Sequence, residues 1–417
     1  MTTKLKIQVL IILAFTIANL SLAQVGWQPK GPSSIDISAL AVDGSNIFAA
    51  TSIFSDGGVF LSKNSGDTWT KVNTGFSQFT TSVFALGISG SKVFAGTYFG
   101  LYVSANNGTN WKKIDTLDYT LSLAMNGANI FATNTNRNSG ISGVFVSRDS
   151  GVNWMSYNLG LPTNVIPISL VIKESTIFVG TSSGIYSSPI GSPSWVSTNL
   201  GIPGGTTIAS LVTNGTNIFA GTYNNGIFLS TNNGASWSQV NIGLQIINTT
   251  FTSFVFSGSS ILAAGENRSG GGGGIFLSTN NGAKWSAINT GLPTNTNVYS
   301  LAISGANIFA GTSGNGVFKR GLSEITSSSE LSEDENLFIY PNPNQGRFTI
   351  SLKSDKTKSI EILCKNLLGQ SVFSKEYILS NGYLKTELDL PTIIKGLYII
   401  QVRSNDKSIS RKVTITE

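Results

Sequence analysis

Apolar residues over the first three quarters of the chain fall in short runs of strand length that repeat. Runs of the form "IFAGT", or a near relative, begin at Ile47, Val93, Ile130, Ile177, Ile218, Ile261 and Ile308, about 43 residues apart. A second apolar run such as "SLVT" or "SLAIS" precedes each of them. A Gly-aliphatic-aromatic triplet follows each: Gly58-Val59-Phe60, Gly100-Leu101-Tyr102, Gly143-Val144-Phe145, Gly184-Ile185-Tyr186, Gly226-Ile227-Phe228, Gly274-Ile275-Phe276 and Gly316-Val317-Phe318. Strands at this spacing, in units of 40 to 45 residues, predict propeller blades.

A polar block supplies the fourth strand of the unit. It reads "SKNSGDTW" (62 to 69), "SANNGTNW" (104 to 111), "SRDSGVNW" (147 to 154), a degenerate "SPIGSPSW" (188 to 195), "STNNGASW" (230 to 237) and "STNNGAKW" (278 to 285). Glycine after Asn or Ser between two apolar runs is a hairpin signal, because glycine takes the positive φ that a tight turn requires. The Asn or Asp two residues after the serine can fold its side chain onto turn amides, and the tryptophan opens the outer strand. The regular copies place Ser62, Asn64, Gly66 and Trp69; Ser104, Asn106, Gly108 and Trp111; Ser147, Asp149, Gly151 and Trp154; Ser230, Asn232, Gly234 and Trp237; and Ser278, Asn280, Gly282 and Trp285 in these roles.

Blade four departs from the pattern, with Ile190 at the turn-facing position, and no block follows Phe318 in blade seven. Six of the seven tryptophans close a block, and the seventh is Trp27 in "GWQPKG", ahead of the first repeat. An Asn or Asp stands four residues after each block tryptophan, at Asn73, Asp115, Asn158, Asn199, Asn241 and Asn289, whereas Gly31 holds that place after Trp27. The N-terminal segment is therefore expected to supply the outer strand of the last blade and close the ring.

The S-x-[DN]-x-G-x-x-W block, over about residues 24 to 322, resembles the Asp-box (BNR) repeat of sialidases, sortilin-type receptors, xyloglucan hydrolases and a photosystem assembly factor. The resemblance implies an all-β, seven-bladed propeller whose blocks lie on the face opposite the binding site. Function then belongs to the loops linking second to third strands and to those joining blades. These loops are expected to carry Asp56, Asp115, Asp118 and Glu266 as candidates for two-carboxylate chemistry, and Tyr98, Phe99, Tyr119, Tyr223, Arg137 and Arg268 as ligand contacts. Sialidase chemistry would need three arginines around a carboxylate. Arg148 lies in a block and Arg320 ends the last strand, which leaves two.

The two ends of the chain read as addresses. "MTTKLKIQVLIILAFTIANLSLAQ" has two lysines, an apolar run and small residues at Ser21 and Ala23, the form of a signal peptide cleaved after Ala23. Residues 323–336, serine- and acid-rich, read as a linker, and 337–417 as a small Ig-like β-sandwich. In that region "LFIYPNPNQGRFTISL", "LLGQSVF", "KGLYIIQVRS" and "SRKVTITE" together resemble the type A C-terminal sorting domain of the type IX secretion system of Bacteroidetes. The resemblance implies handling by that machinery, with Pro341, Pro343, Gly346, Gly369, Gly396, Arg411 and Lys412 as the sorting candidates. In the family the tail is usually removed and the protein released or fixed to surface lipopolysaccharide.

Composition narrows the chemistry. The chain has 417 residues with 46 glycines, 12% charged residues and no histidine, so histidine triads and histidine metal ligation are excluded. Net charge is +6, falling to +4 without residues 1–23, with no basic stripe for nucleic acid. From Ser175 to Gly265 there is no Asp, Glu, Lys or Arg. Cys364 is the only cysteine, so no intramolecular disulfide forms. "GENRSGGGGGIF" (265 to 276) precedes a strand and lacks the helix N-terminus of a phosphate loop, and Asp149 alone offers too few hard ligands for calcium. No metal, cofactor or transmembrane anchor after signal removal is expected. The sequence points to an exported, surface-displayed or released non-catalytic binding or adhesion propeller for a glycan or extracellular protein. The alternatives are a polysaccharide-acting glycoside hydrolase and an envelope assembly or scaffold factor.

Overall fold

The computed structural model describes the chain apart from residues 1–25, 53–56, 78–81, 116, 136–141, 328–336, 341, 343, 354–358, 367–369, 381, 391–394, 405–406 and 417. Two compact units, Met1–Glu324 and Ile325–Glu417, make up the chain. The signal segment lies outside the described residues.

Seven four-stranded antiparallel sheets form the first unit, a β-propeller. Blade 1 runs from an inner strand, Ile37–Asp43, through Asn46–Thr51 and Gly58–Ser62 to an outer strand, Thr70–Lys71, and each later blade repeats the order. The second strands are the "IFAGT" runs, buried along nearly their whole length because sheets pack on both faces. In most blades the first strand carries a bulge, between Ile37 and Ala39, Val83 and Ala85, Pro167 and Ser169, Ile208 and Ser210, Phe251 and Ser253, and Val298 and Ser300. A bulge adds local twist, which suits the narrow inner end of a wedge-shaped blade. Outer strands are mostly two residues long, which keeps the perimeter poor in free pairing edge.

The seventh sheet closes the ring with chain from the other end. Gln28–Pro29 lies outside Gly316–Gly321, with Gln28 opposite Lys319 and Pro29 opposite Phe318. Lys30 N–H donates to the Val317 carbonyl at 2.8 Å, as Val72 N–H does to Val59 in blade 1. Arg320, in the last strand, is buried, and its guanidinium sits 3.4 Å from the Glu324 carboxylate. Glu324 belongs to the short helix Leu322–Ser327 and also accepts from Gly26 N–H at 2.9 Å.

The second unit is a β-sandwich. One sheet holds Leu337–Tyr340, Arg347–Lys353 and Tyr383–Asp389; the other holds Ser371–Ile378, Ser359–Lys365, Gly396–Ser404 and Lys407–Ile415, in that order across each sheet. Phe348, Ile350, Ile362, Cys364, Ile400 and Val413 fill the space between them. Asn344 ties the entry of this unit to its last strand: its N–H donates to Thr414 at 3.0 Å and its carbonyl accepts from Thr416 N–H at 2.7 Å. Its side-chain oxygen accepts from Gly346 N–H at 2.8 Å, and Gly346 holds a φ of 89°. Gly396 opens the strand beside Lys407–Ile415, and Arg411 pairs with Ile400 across it. Pro341, Pro343, Gly369 and the Lys412 side chain lie outside the described residues.

Candidate functional site

The repeated polar block is built as structure. In the Ser230 copy the serine hydroxyl donates to Asn232 Oδ1 at 3.0 Å and accepts from Gly234 N–H at 2.9 Å, while Asn232 Oδ1 accepts from Ser236 N–H at 2.9 Å. Asn233 and Gly234 take consecutive positive φ values of 56° and 81°. A Cβ on Gly234 would press on the Phe178 ring of the preceding blade, which is why the block needs glycine there. The other regular copies share these serine and Asn/Asp bonds. In blade three Asp149 replaces Asn, and bonds from Asn153 and Ser147 hold its carboxyl down at about 2.

Most block tryptophans reach across a seam. Trp69, Trp111, Trp195, Trp237 and Trp285 donate their indole N–H to Lys30, Val72, Tyr157, Thr198 and Val240, carbonyls of the preceding outer strand region, at 2.5–2.9 Å. Trp154 instead donates to Gly151 within its own hairpin. The degenerate block of blade four is held from blade three: Tyr157 donates its hydroxyl to Pro189 O, and Arg148 donates to Ile190 and Gly191 carbonyls.

At the opposite ends of the strands the candidate residues fall into two clusters. Tyr98 and Phe99 turn blade 2 from its second to its third strand, and Tyr119 lies in the connection to blade 3. Their rings pack at 4.5 Å (Tyr98–Phe99) and 4.2 Å (Tyr98–Tyr119), and Phe84 of the inner strand stacks on Tyr119 at 5.7 Å and 9°. Phe99 is 38% exposed. Tyr119 holds a φ of 56°, costly for an aromatic residue, where its N–H donates to the Tyr98 carbonyl. Burial, then a bond with the Tyr98 hydroxyl, pushes the Tyr119 hydroxyl above the ordinary phenol value.

The second cluster spans blades 5, 6 and 7. The Arg268 guanidinium lies 4.2 Å from the Tyr223 ring centre and 3.6 Å from the Glu266 carboxylate. Burial opposes its charge, but the Tyr223 hydroxyl and Glu266 outweigh that and raise its pKa. Tyr299 of blade 7 adjoins: burial raises its pKa, its hydroxyl bonds Ser313, and the charges of Glu266 and Asp36 act on it. Asp36 Oδ1 in turn accepts from Gly314 N–H at 2.6 Å and Ser313 Oγ at 3.1 Å.

Two candidates stand elsewhere than in loops. Asp115 ends the outer strand Lys112–Asp115, and Glu266 lies within Ser260–Asn267, because blade 6 extends its first two strands so that Thr250 pairs with Glu266. Asp118 is half-buried in the blade 2–3 connection. Asp56, Arg137 and the Asp115 side chain lie outside the described residues. Phe84, Tyr299 and Asp36 join the clusters without having been singled out; aligned repeats carry the signal, since Phe84 and Tyr299 are aromatic where the equivalent positions of other blades hold Ser38, Leu121, Ile168, Ala209 or Thr252.

The glycine-rich segment is folded rather than open, with Asn297 Oδ1 accepting from Asn267 N–H at 2.8 Å and Gly273 N–H at 3.0 Å. Inner strands of blades 3 to 6 line a cavity of about 220 Å³ that includes Ser122, Ser169, Ser210 and Ser253. Among the described residues no group of three or more acidic or cysteine side chains gathers as a metal site, and no helix is long and apolar enough to cross a membrane.

Residues 338–416 match the family model of the secretion system C-terminal sorting domain. The second unit is thus a type IX secretion sorting domain, which implies export. No curated protein sequence matches the chain. Among solved structures, the extracellular domain of the putative hybrid two component system BT4673 from B. thetaiotaomicron is similar, with a TM-score of 0.58, 16% identity, 80% of this chain and 45% of that one. This chain therefore spans less than half of that domain. YCF48 from Cyanidioschyzon merolae is similar with a TM-score of 0.53 and 13% identity, over 71% of this chain and 98% of that one. YCF48 bound to D1 peptide gives 0.54 and 15%, over 72% and 98%. At these identities the likeness is one of fold.

Proposed function

We propose that this protein is an exported, non-catalytic binding propeller of the Asp-box type. It holds a glycan or an extracellular protein against the face opposite its serine–tryptophan hairpins. A signal peptide ending at Ala23 takes the chain across the inner membrane, and the sorting domain takes it to the surface, where it is displayed or released.

The observation that carries this reading is the aromatic cluster of Phe84, Tyr98, Phe99 and Tyr119. Its edge is exposed and its backbone is strained at Tyr119, an arrangement the fold does not need, since other blades turn at the same point without it. Flat aromatic faces suit sugar rings and peptide side chains alike. Two of the described acids, Glu266 and Asp36, favour binding over hydrolysis. Glycoside cleavage needs two carboxyls about 5–10 Å apart with one free to donate a proton. Glu266 is ion-paired to Arg268, and Asp36 Oδ1 is occupied by two donors.

A glycan and polysaccharide array probed with the chain from Gln24 onward tests the reading. Saturable binding that weakens at least tenfold in Phe99→Ala or Tyr119→Ala supports it, and release of reducing sugar would replace it with hydrolysis. A protein ligand is the second reading, favoured by the likeness to YCF48, which is known bound to D1 peptide. Binding confined to proteins or peptides, again lost in those variants, would select it.

A further inference from the structure

The two clusters stand across the ring from one another. Inner strands of successive blades pack side by side from Ile37–Asp43 round to Val298–Ser304, and the last packs beside the first. Tyr98, Phe99 and Tyr119 gather where blade 2 meets blade 3, whereas Arg268 and Glu266 belong to blade 6. Blades 3, 4 and 5 intervene one way round, and blades 2, 1 and 7 the other. Both clusters lie at the strand ends that carry the second-to-third turns, and so on one face.

A single cavity borders both. The space of about 220 Å³ is lined at one end by Leu121 and Ser122, just after Tyr119, and at the other by Thr252 and Ser253. Thr250, two residues before Thr252, pairs with Glu266 and donates its hydroxyl to the Tyr223 carbonyl at 3.4 Å. Most of the serines along this cavity are engaged within the fold. Ser122 and Ser253 accept from the Leu170 and Leu301 N–H groups at 3.0 Å, and Ser210 donates to the Phe251 carbonyl at 2.7 Å. Ser169 is 6% exposed, and its hydroxyl has no hydrogen-bond partner among the described residues. A buried hydroxyl in that state gains by bonding whatever enters the cavity.

The two ends differ in chemistry in a way that suits one ligand class. The first offers aromatic faces. The second offers the Arg268 donors, stacked on Tyr223, beside the acceptor carboxylates of Glu266 and Asp36. Arg268 and Glu266 offset each other in charge, so this end favours hydroxyl groups over a strongly ionic ligand. A sugar has both an apolar ring face and a hydroxyl edge, but one sugar cannot touch both ends. Seven sheets packed about 10 Å apart make a ring about 20 Å across at mid-blade, roughly the length of four or five linked sugars. We propose that the loop face binds an extended, neutral polysaccharide chain that crosses the cavity from one cluster to the other. The inference rests on the binding reading above and names its ligand as a chain rather than a single sugar.

Titration of the chain from Gln24 onward with glucose, mannose, xylose and galactose oligosaccharides of graded length tests it, with oligogalacturonates as the charged comparison. Two subsites joined by one ligand gain effective concentration, so affinity for one of the neutral series should rise about 100-fold between about three and about eight residues. Arg268→Ala, at an exposed turn, and Phe99→Ala should each reduce that gain to less than tenfold, since either removes one of the two anchors. A neutral chain bound equally well at every length overturns this inference and leaves the binding reading standing. So does a gain with length that persists in Arg268→Ala, or tighter binding of the oligogalacturonates. Failure of every oligosaccharide to bind overturns the glycan reading and this inference with it.

Discussion

Trp27 donates its indole N–H to the Ile288 carbonyl at 2.7 Å, joining residues 261 positions apart across the seam between the last two blades. The same carbonyl accepts from Arg320 at 3.2 Å, and Trp27 N–H bonds Thr290 at 2.9 Å. Trp27 is 1% exposed, so the ring is closed by one deeply seated side chain just ahead of a two-residue strand. Trp27→Ala should lower stability by about 3–5 kcal/mol, the cost of a large core deletion. Trp27→Phe, which keeps a ring but removes the donor, should cost about 1 kcal/mol beyond its lost volume. Calorimetry of the two variants checks this, and an unchanged melt in Trp27→Ala would refute closure by the N-terminal segment.

In five blades the third strand begins where an Asn side chain from the turn after the outer strand reaches back. Asn241 Oδ1 accepts from Ile227 N–H at 2.7 Å, and a Cβ on Gly226 would collide with that amide. Gly226 also holds a φ of 78°. Gly226→Ala should destabilise by about 1–3 kcal/mol through strain and displacement of Asn241. Asn241→Ala should cost about 1–3 kcal/mol by orphaning a buried N–H. Because one contact underlies both, the double variant should cost less than their sum; strict additivity in denaturant melts would contradict the coupling.

Much of this was legible in the sequence because the repeat exposes it. The seven "IFAGT" runs, the triplets and the stray Trp27 identify blades and closure without coordinates. The Asn four residues after most of the tryptophans was visible too, but its task was not, since its partner lies 14 residues back on another strand. The two clusters were half legible: Tyr98, Phe99, Tyr119, Tyr223 and Arg268 stand out as aromatic or charged residues at turns. Phe84 and Tyr299 sit inside strands and read as core, whereas each falls at a bulge and adjoins a cluster, Phe84 through Tyr119 and Tyr299 through Ser313. Glu266 reads as loop because a glycine run follows it, whereas pairing with Thr250 carries the strand two residues further. The ligand stayed illegible because most of the conspicuous polar residues are consumed by hairpins.

Asp149 offers a pH test of one hairpin. Its carboxyl titrates at about 2, below the ordinary 3.8, held down by bonds from Asn153 and Ser147. A depressed folded-state value adds stability above the unfolded pKa and loses it as pH falls through the folded one. Asn in the other copies makes the same Oδ1 bonds without a charge. The melting-temperature difference between wild type and Asp149→Asn should therefore be flat above about pH 5 and change only between about pH 4 and 2. A difference that varies around neutral pH would contradict this.

Removal of residues 337–417 should leave the propeller in the periplasm of a type IX-competent host, since the sorting unit occupies that stretch. Fractionation with antibody to the propeller reads the outcome. Normal delivery of the truncated chain to the surface would mean that another segment directs it.

Within the sorting unit, Cys364 is a built-in reporter of opening. Its thiol is fully buried, and burial pushes it up to about 11, so at pH 8 it should react with a thiol reagent only when the sandwich opens. Asn344 bonds Gly346 N–H through its side chain and Thr414 and Thr416 through its backbone, pinning the first turn to the last strand. Asn344→Ala keeps the backbone pair and loses the side-chain acceptor, a change of about 1 kcal/mol. Where closing is fast relative to labelling, modification tracks the open population, so Cys364 should label roughly fivefold faster in the variant. Equal labelling would mean that the Asn344 turn opens without the core, and that the pin does not govern the stability of the unit.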